Sequence, residues 1–270
     1  MLRGGISSVS YRNARAHDII AAARGAGLGG IEWSADTHAP HGDLAKAEEL
    51  MMATLRAGLT VSAYGSFYRV GRGPRSALDF PSAVLACARR LQAPIIRVWA
   101  APLADAAGGG ASVSLEALAR EALALADQAG RFGITVCIEP HELSVIRDYE
   151  RLAELVTIAD HPFFKACWAP LAAPPREERE ESIAALAPHI ALIHVRNWTR
   201  AYARRPLSEN LECWVRVVDA LAERARRSVL DHWALIEYLE DEGSDTLKRE
   251  AEALQSLLEQ RSLVAELPKP

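Results

Sequence analysis

Read for hydrophobic period alone, the chain repeats one unit from end to end. A short run that is apolar at nearly every position is followed by a loop, then by a segment with apolar residues at helical spacing. Eight strand-like runs occur, at residues 4–10, 30–33, 59–64, 94–99, 133–139, 163–168, 190–195 and 233–238. The helical segments behind them span 17–26, 44–57, 76–91, 115–131, 146–158, 176–186, 209–226 and 245–261. Runs such as APIIRVW and ITVCIE are almost continuously apolar, as parallel strands covered on both faces must be. Several helical segments end in Ala-Gly-Leu or Phe-Gly-Ile, where glycine can take the left-handed cap before the next strand. Eight units without a linker-like break predict an α/β fold, a single (β/α)8 TIM barrel with an eight-stranded parallel sheet. It should occupy residues 1–262, with 263–270 as a frayed tail.

Composition narrows the class. With 270 residues, 50% of them hydrophobic and 24% charged, the chain can bury a large core, which excludes disorder as its main state. Only Lys46, Lys165, Lys248 and Lys269 among the 31 basic residues are lysines, and the arginines are scattered among 35 acids. No basic stripe results, so nucleic acid is not an expected partner. No apolar run approaches membrane-spanning length, and the first residues carry no long apolar leader, so no membrane partner is expected. Cys87, Cys137, Cys167 and Cys213 form no CxxC pair, and most lie in apolar stretches. They read as buried free thiols suited to a reducing cytoplasmic location.

The chemistry is carried by charged residues that end the apolar runs: Glu32, Arg97, Glu139, His194 and Glu237. The C-terminal rim of barrel strands is where barrel enzymes place their reactive groups. Such groups, once buried, need one another, a metal or a substrate as partners. Ion pairs that merely close the barrel mouth are one reading. The other is a divalent-metal site at Glu139, His194 and Glu237, whose oxygen and imidazole donors suit Mn²⁺, Co²⁺, Zn²⁺ or Mg²⁺. Such an ion polarises a sugar carbonyl while Glu139 and Glu237 exchange the neighbouring proton.

Other polar residues cluster nearby in sequence. Glu32, Asp36 and His38 could meet substrate hydroxyls or stabilise their own loop. The Arg97 fork could hold a carboxylate, phosphate or enediolate oxygen, or pair with Glu139 or Glu32. His141, two after Glu139, shares its face if Pro140 leaves the backbone extended. Of six tryptophans, Trp33, following an inward Glu32, belongs to the core, and Trp214 and Trp233 read as packing. Trp168 and Trp198 are candidates for a pocket wall. GxGxxG after a strand, a P-loop lysine and GxSxG are all absent, and the Gly108–Gly110 run lacks a phosphate-cradling context.

Six segments in their order and spacing, GLGGIEWSADTHAPHGD (27–43), AYGSFYRVG (63–71), IIRVWA (95–100), CIEPH (137–141), HVRNW (194–198) and RRPL (204–207), resemble the xylose isomerase-like barrels of sugar phosphate isomerases and epimerases. The resemblance runs over nearly the whole chain. It implies a metal held by a Glu after strand five, an acid or amide after strand six, a His after strand seven and a Glu after strand eight. Glu139, His194 and Glu237 match three of these. At strand six the sequence offers only Trp168 and Ala169. Three arrangements are compatible with that gap: three protein ligands plus water, completion of the shell by His141 or His38, or a metal-free acid/base pair of Glu139 and Glu237.

The resemblance also implies substrate contacts from the seventh loop, where Arg200 and the Arg204–Arg205 pair lie. The expected activity is a metal-dependent isomerase or epimerase working next to the carbonyl of a keto-sugar or related polyhydroxy compound. Two alternatives use the same parts: a lyase that eliminates a β-group after the same proton transfer, and a non-catalytic sugar-binding paralogue with a decayed site. A homo-oligomer is open to the chain, since relatives commonly form dimers or tetramers.

Overall fold

The apolar runs become strands where their burial requires it. In a computed structural model describing residues 2–72, 81–103, 113–172, 176–199, 201–226 and 232–265, the barrel strands are β1 Leu2–Ser7, β2 Gly30–Ser34, β3 Thr60–Val70, β4 Ile95–Ala100, β5 Thr135–Glu139, β6 Phe164–Trp168, β7 Ile190–Val195 and β10 His232–Ile236. They close in the order β1-β10-β7-β6-β5-β4-β3-β2, every barrel pair parallel, with β1 bonded to both β10 and β2. The expected (β/α)8 barrel is therefore the fold.

The helices are α1 Ala16–Gly25, α2 Leu44–Arg56, α3 Pro81–Arg90, α4 Leu115–Gly130, α5 Tyr149–Ala159, α6 Arg176–Leu186, α7 Leu211–Arg226 and α8 Ser244–Ala265. Outward strand residues such as Ile31, Trp33 and Ile138 share one large core with helix residues such as Leu118, Leu152 and Trp214. Inside the barrel, Ala63, Ile95, Cys137, Cys167, Leu192, Trp233 and Leu235 form a second buried cluster. Alternation along each strand then puts the next inward residues, Glu32, Arg97, Glu139, His194 and Glu237, one layer nearer the C-terminal mouth. All four cysteines are buried, and none of them forms a disulfide.

Several boundaries differ from the periodic reading, each for a local reason. The first run stops at Ser7, and Ser8–Tyr11 is a 3₁₀ turn. Helix α5 begins at Tyr149 because the Asp148 carboxylate accepts from Arg151 N at 2.8 Å and caps it. A 3₁₀ turn, Leu207–Asn210, precedes α7. The loop after β7 holds an antiparallel ribbon, β8 Asn197–Trp198 with β9 Arg204–Arg205, too short to show a period. Helix α8 continues to Ala265. Residues 76–80 of the third helical segment, Gly108–Gly110 and 266–270 lie outside the described residues. Among the described residues no helix is long and apolar enough to cross a membrane.

Candidate active site

Five strand ends converge on one buried network. Glu32, Arg97, Glu139, His194 and Glu237 are each at most 3% exposed. His194 is its centre. Its Nε2 lies 2.7 Å from Glu32 Oε2, and its Nδ1 lies 3.3 Å from Glu139 Oε1 and 3.4 Å from Glu237 Oε1. Arg97 Nη2 donates to Glu32 Oε1 at 3.3 Å, and its Nε lies 3.5 Å from Glu139 Oε2. That Glu139 oxygen also accepts the Trp99 indole N–H at 2.7 Å. Arg196 Nη1 binds Glu237 Oε2 and stands 3.7 Å from Glu139 Oε1.

The Glu32–Arg97 contact depends on a missing side chain next door. A Cβ on Gly65 of β3 would collide with Glu32 Oε1 and lie 2.9 Å from Arg97 Nη2. Just beyond, the β3–β4 register shifts between Gly65 and Arg69, and Phe67 adopts φ 57°, a left-handed conformation rare for a bulky residue. Its ring meets Trp99 edge-on at 4.7 Å.

Opposed charges outweigh burial at His194, Glu139, Glu32 and Arg97. Desolvation alone pulls His194 down, but Glu237, Glu32 and Glu139 together push it up to about 10. Burial raises the Glu139 and Glu32 carboxyls, yet the attraction of His194 and Arg97 outweighs it and holds both below the usual range. Burial likewise opposes the Arg97 charge, and Glu139, Glu32 and Glu237 raise it regardless. Three buried carboxylates thus face three cationic side chains.

Above this network opens a cavity of about 280 Å³, whose lining includes Glu139, Glu237, Arg196, Trp99, His141 and Trp198. His141 reaches it with Nδ1 accepting from Leu143 N at 3.1 Å and its ring 5.1 Å from Trp99. Burial lowers its affinity for a proton. Tyr238, also lining the cavity, follows Glu237 with φ 60°.

The structure sorts the remaining candidates. Glu32 and Arg97 support the network from beneath and do not line the cavity. His38 turns away from it, with Nε2 3.2 Å from the Ala14 carbonyl and its ring against Trp33, so it does not complete the ligand set. Trp168 is a correction. It is 1% exposed, stacks on Tyr149 of α5, meets Trp214 of α7 edge-on, and donates to Ser182 Oγ of α6 at 3.1 Å. It therefore points outward into the helix layer, because alternation gives the inward direction to Cys167 and Ala169 instead. Arg205 is exposed on the ribbon and is not among the residues that line the cavity. Arg200 lies outside the described residues.

Among the wall residues that escaped the sequence reading are Arg196, Trp99 and Tyr238. The first two carried a usable signal, since Arg196 shares parity with His194 and Trp99 with Arg97.

The donor set suits a divalent ion in identity and orientation. One atom each from Glu139, His194 and Glu237 lie within 4.8 Å of one another. Glu32 engages Nε2 of His194, which fixes the ring with Nδ1 toward the two carboxylates, the arrangement that supports metal-bound imidazoles. The strand-six position offers only the Ala169 methyl.

A closed parallel barrel with buried carboxylates and an imidazole at its C-terminal rim is a TIM barrel of the kind that keeps its chemistry at that rim. The chain belongs to the xylose isomerase-like TIM barrel family, which it matches over residues 20–258. Among solved structures it is similar in fold to a probable 3-DHS dehydratase, AsbF, involved in petrobactin synthesis in Bacillus anthracis, with 16% identity, 94% of this chain and 99% of that chain covered, and a TM-score of 0.71. D-psicose 3-epimerase in the presence of D-fructose gives 14% identity, coverage of 95% and 99%, and a TM-score of 0.66. A family protein from Mycobacterium smegmatis in complex with magnesium gives 16% identity, coverage of 95% and 97%, and a TM-score of 0.65. A comparison with proteins of curated function gives no match.

Proposed function

We propose that this protein is an isomerase or epimerase that moves a proton next to the carbonyl of a keto-sugar or related polyhydroxy compound. The observation that carries the reading is the pair of buried carboxylates, Glu139 and Glu237, which both face the cavity and share His194 Nδ1 between them at 3.3 and 3.4 Å. Two carboxylates at one carbon can take a proton from one side and return it from another. A divalent ion, Mn²⁺, Co²⁺, Zn²⁺ or Mg²⁺, held by Glu139, His194 and Glu237 would supply Lewis-acid polarisation of the carbonyl. Trp99 and Arg97 hold Glu139 in place, Glu32 orients His194, and His141 and Trp198 offer walls for a polyhydroxy ligand. The epimerase, the dehydratase and the magnesium complex among the fold relatives support the same reading by analogy.

The test is proton NMR of a panel of keto-sugars incubated in D₂O with the wild type and with Glu237→Gln, after metal analysis of the dialysed protein. The reading expects deuterium at the carbon beside the carbonyl, an intact carbon skeleton, and a loss of about 10²-fold or more in the variant. Loss of water or of a β-linked group would assign the protein to the lyases instead. Binding without exchange would make it a sugar-binding protein, and full activity in metal-free protein would remove the ion from the mechanism.

A further inference from the structure

The metal reading leaves one charge in the wrong place. Arg196 lines the cavity, its side chain 10% exposed, yet its guanidinium is spent on the two carboxylates that would bind the ion. Glu139 Oε1 lies 3.3 Å from His194 Nδ1 and 3.7 Å from Arg196 Nη1. Glu237 gives one oxygen to His194 and the other to Arg196. An ion bonded to Glu139 Oε1 at about 2.1 Å would share that oxygen's surroundings with the guanidinium.

Charge counting gives the same answer. Once His194 gives up its proton to serve as a ligand, the carboxylates Glu32, Glu139 and Glu237 face the guanidiniums Arg97 and Arg196. Adding a divalent ion leaves one positive charge in excess, whereas adding it without Arg196 brings the buried site to neutrality. The guanidinium already has partners besides the two carboxylates. Its Cζ lies 4.8 Å from the Trp198 ring centroid and 5.9 Å from that of Tyr238, two rings of the cavity wall that attract a cation. Its buried Nε has no hydrogen-bond partner, so part of its donor capacity is unspent.

We propose that Arg196 and a divalent ion are alternative partners of the Glu139–Glu237 pair, and that the displaced guanidinium serves as the cavity's cation for a substrate oxygen. Arg196 is then a positioning residue that weakens ion binding and is released toward the ligand when the ion enters. The inference rests on the metal reading of the same site.

Mn²⁺ titration followed by electron paramagnetic resonance tests it, on the wild type, Arg196→Gln and Arg196→Lys, with circular dichroism to count folded protein. Arg196→Gln should bind Mn²⁺ about tenfold more tightly or better, as expected when a like charge is removed from contact with the site, and Arg196→Lys should stay near the wild type. Equal affinity in wild type and Arg196→Gln overturns the proposal and leaves the metal reading standing. Equal tightening in Arg196→Lys overturns it too, since charge is then not the cause. No Mn²⁺ uptake in any of them removes both. A readout on the wild type alone covers a poorly folded Gln variant: the Arg196 Nε–H resonance, assigned by its loss in Arg196→Lys, should shift on saturation with Zn²⁺. An unmoved resonance in Zn²⁺-bound protein overturns the proposal.

Discussion

Glu32→Gln removes one negative charge from beneath His194 while keeping the side-chain shape and one accepting oxygen. In the native protein that charge lies 2.7 Å from His194 Nε2 and 3.3 Å from Arg97 Nη2. With an effective dielectric of about 20, the attractions are about 6 and about 5 kcal/mol. The desolvation of the buried carboxylate offsets several kcal/mol of this, and Arg97 keeps Glu139 at 3.5 Å as a partner. A net loss of about 3 kcal/mol is expected, the lower end of what breaking a buried pair costs.

The same variant moves a pH edge. His194 is raised to about 10 in the folded protein, above its value of about 6.5 in an unfolded chain. Its contribution to stability is therefore complete below about pH 6.5 and is lost as pH rises through about 10. Without the Glu32 charge the upper edge of that window falls. Urea unfolding from roughly pH 6 to pH 11, in EDTA so that no metal linkage enters, measures both effects, and the His194 ring resonances report its titration directly. A loss below about 0.5 kcal/mol at neutral pH, with both proteins losing stability over the same pH interval, would refute the reasoning.

Trp168→Ala should cost about 3–5 kcal/mol in stability, as for other buried aromatic truncations, measured by thermal or urea unfolding. At a temperature where the variant is folded, KM should stay unchanged, because the ring belongs to the helix layer and not to the cavity. Ala169→Asp would place a carboxylate at the strand-six position. It should destabilise the metal-free protein and tighten Mn²⁺ binding about tenfold or more by calorimetry; unchanged affinity would mean that this strand end does not face the ion site.

The barrel was legible because its strands are buried on both faces, so that apolar runs, helical segments and glycine caps all recur in step. The strand-end charges were legible for the same reason: Glu32, Arg97, Glu139, His194 and Glu237 each interrupt an apolar run at the same level. What lay past the strand ends was harder to read. Trp168 reads as pocket wall from its strand-end position although it follows inward Cys167 directly, and the β6–β7 register shifts between Ala166 and Cys167. Arg196 lies one residue beyond β7, where a charged side chain normally means solvent; only its shared parity with His194 marked it. The shift at Gly65–Arg69 and the turned Phe67 come from packing around Trp99, and no local pattern announces them. His38 sits in a loop whose direction depends on Trp33 behind it.

The ion-pair network has a seam. Cut between β4 and β5, the first half of the barrel carries Glu32 and Arg97, already paired at 3.3 Å, and the second carries Glu139, Glu237, Arg196 and His194, paired among themselves. With His194 protonated, each half-barrel is electrically self-sufficient. Across the cut run the Glu32–His194 and Arg97–Glu139 ion pairs and the hydrogen bond from the Trp99 indole N–H to Glu139. Joining the halves strands no buried charge on either side, and what the union adds is orientation: the imidazole of one half is held in register by the carboxylate of the other.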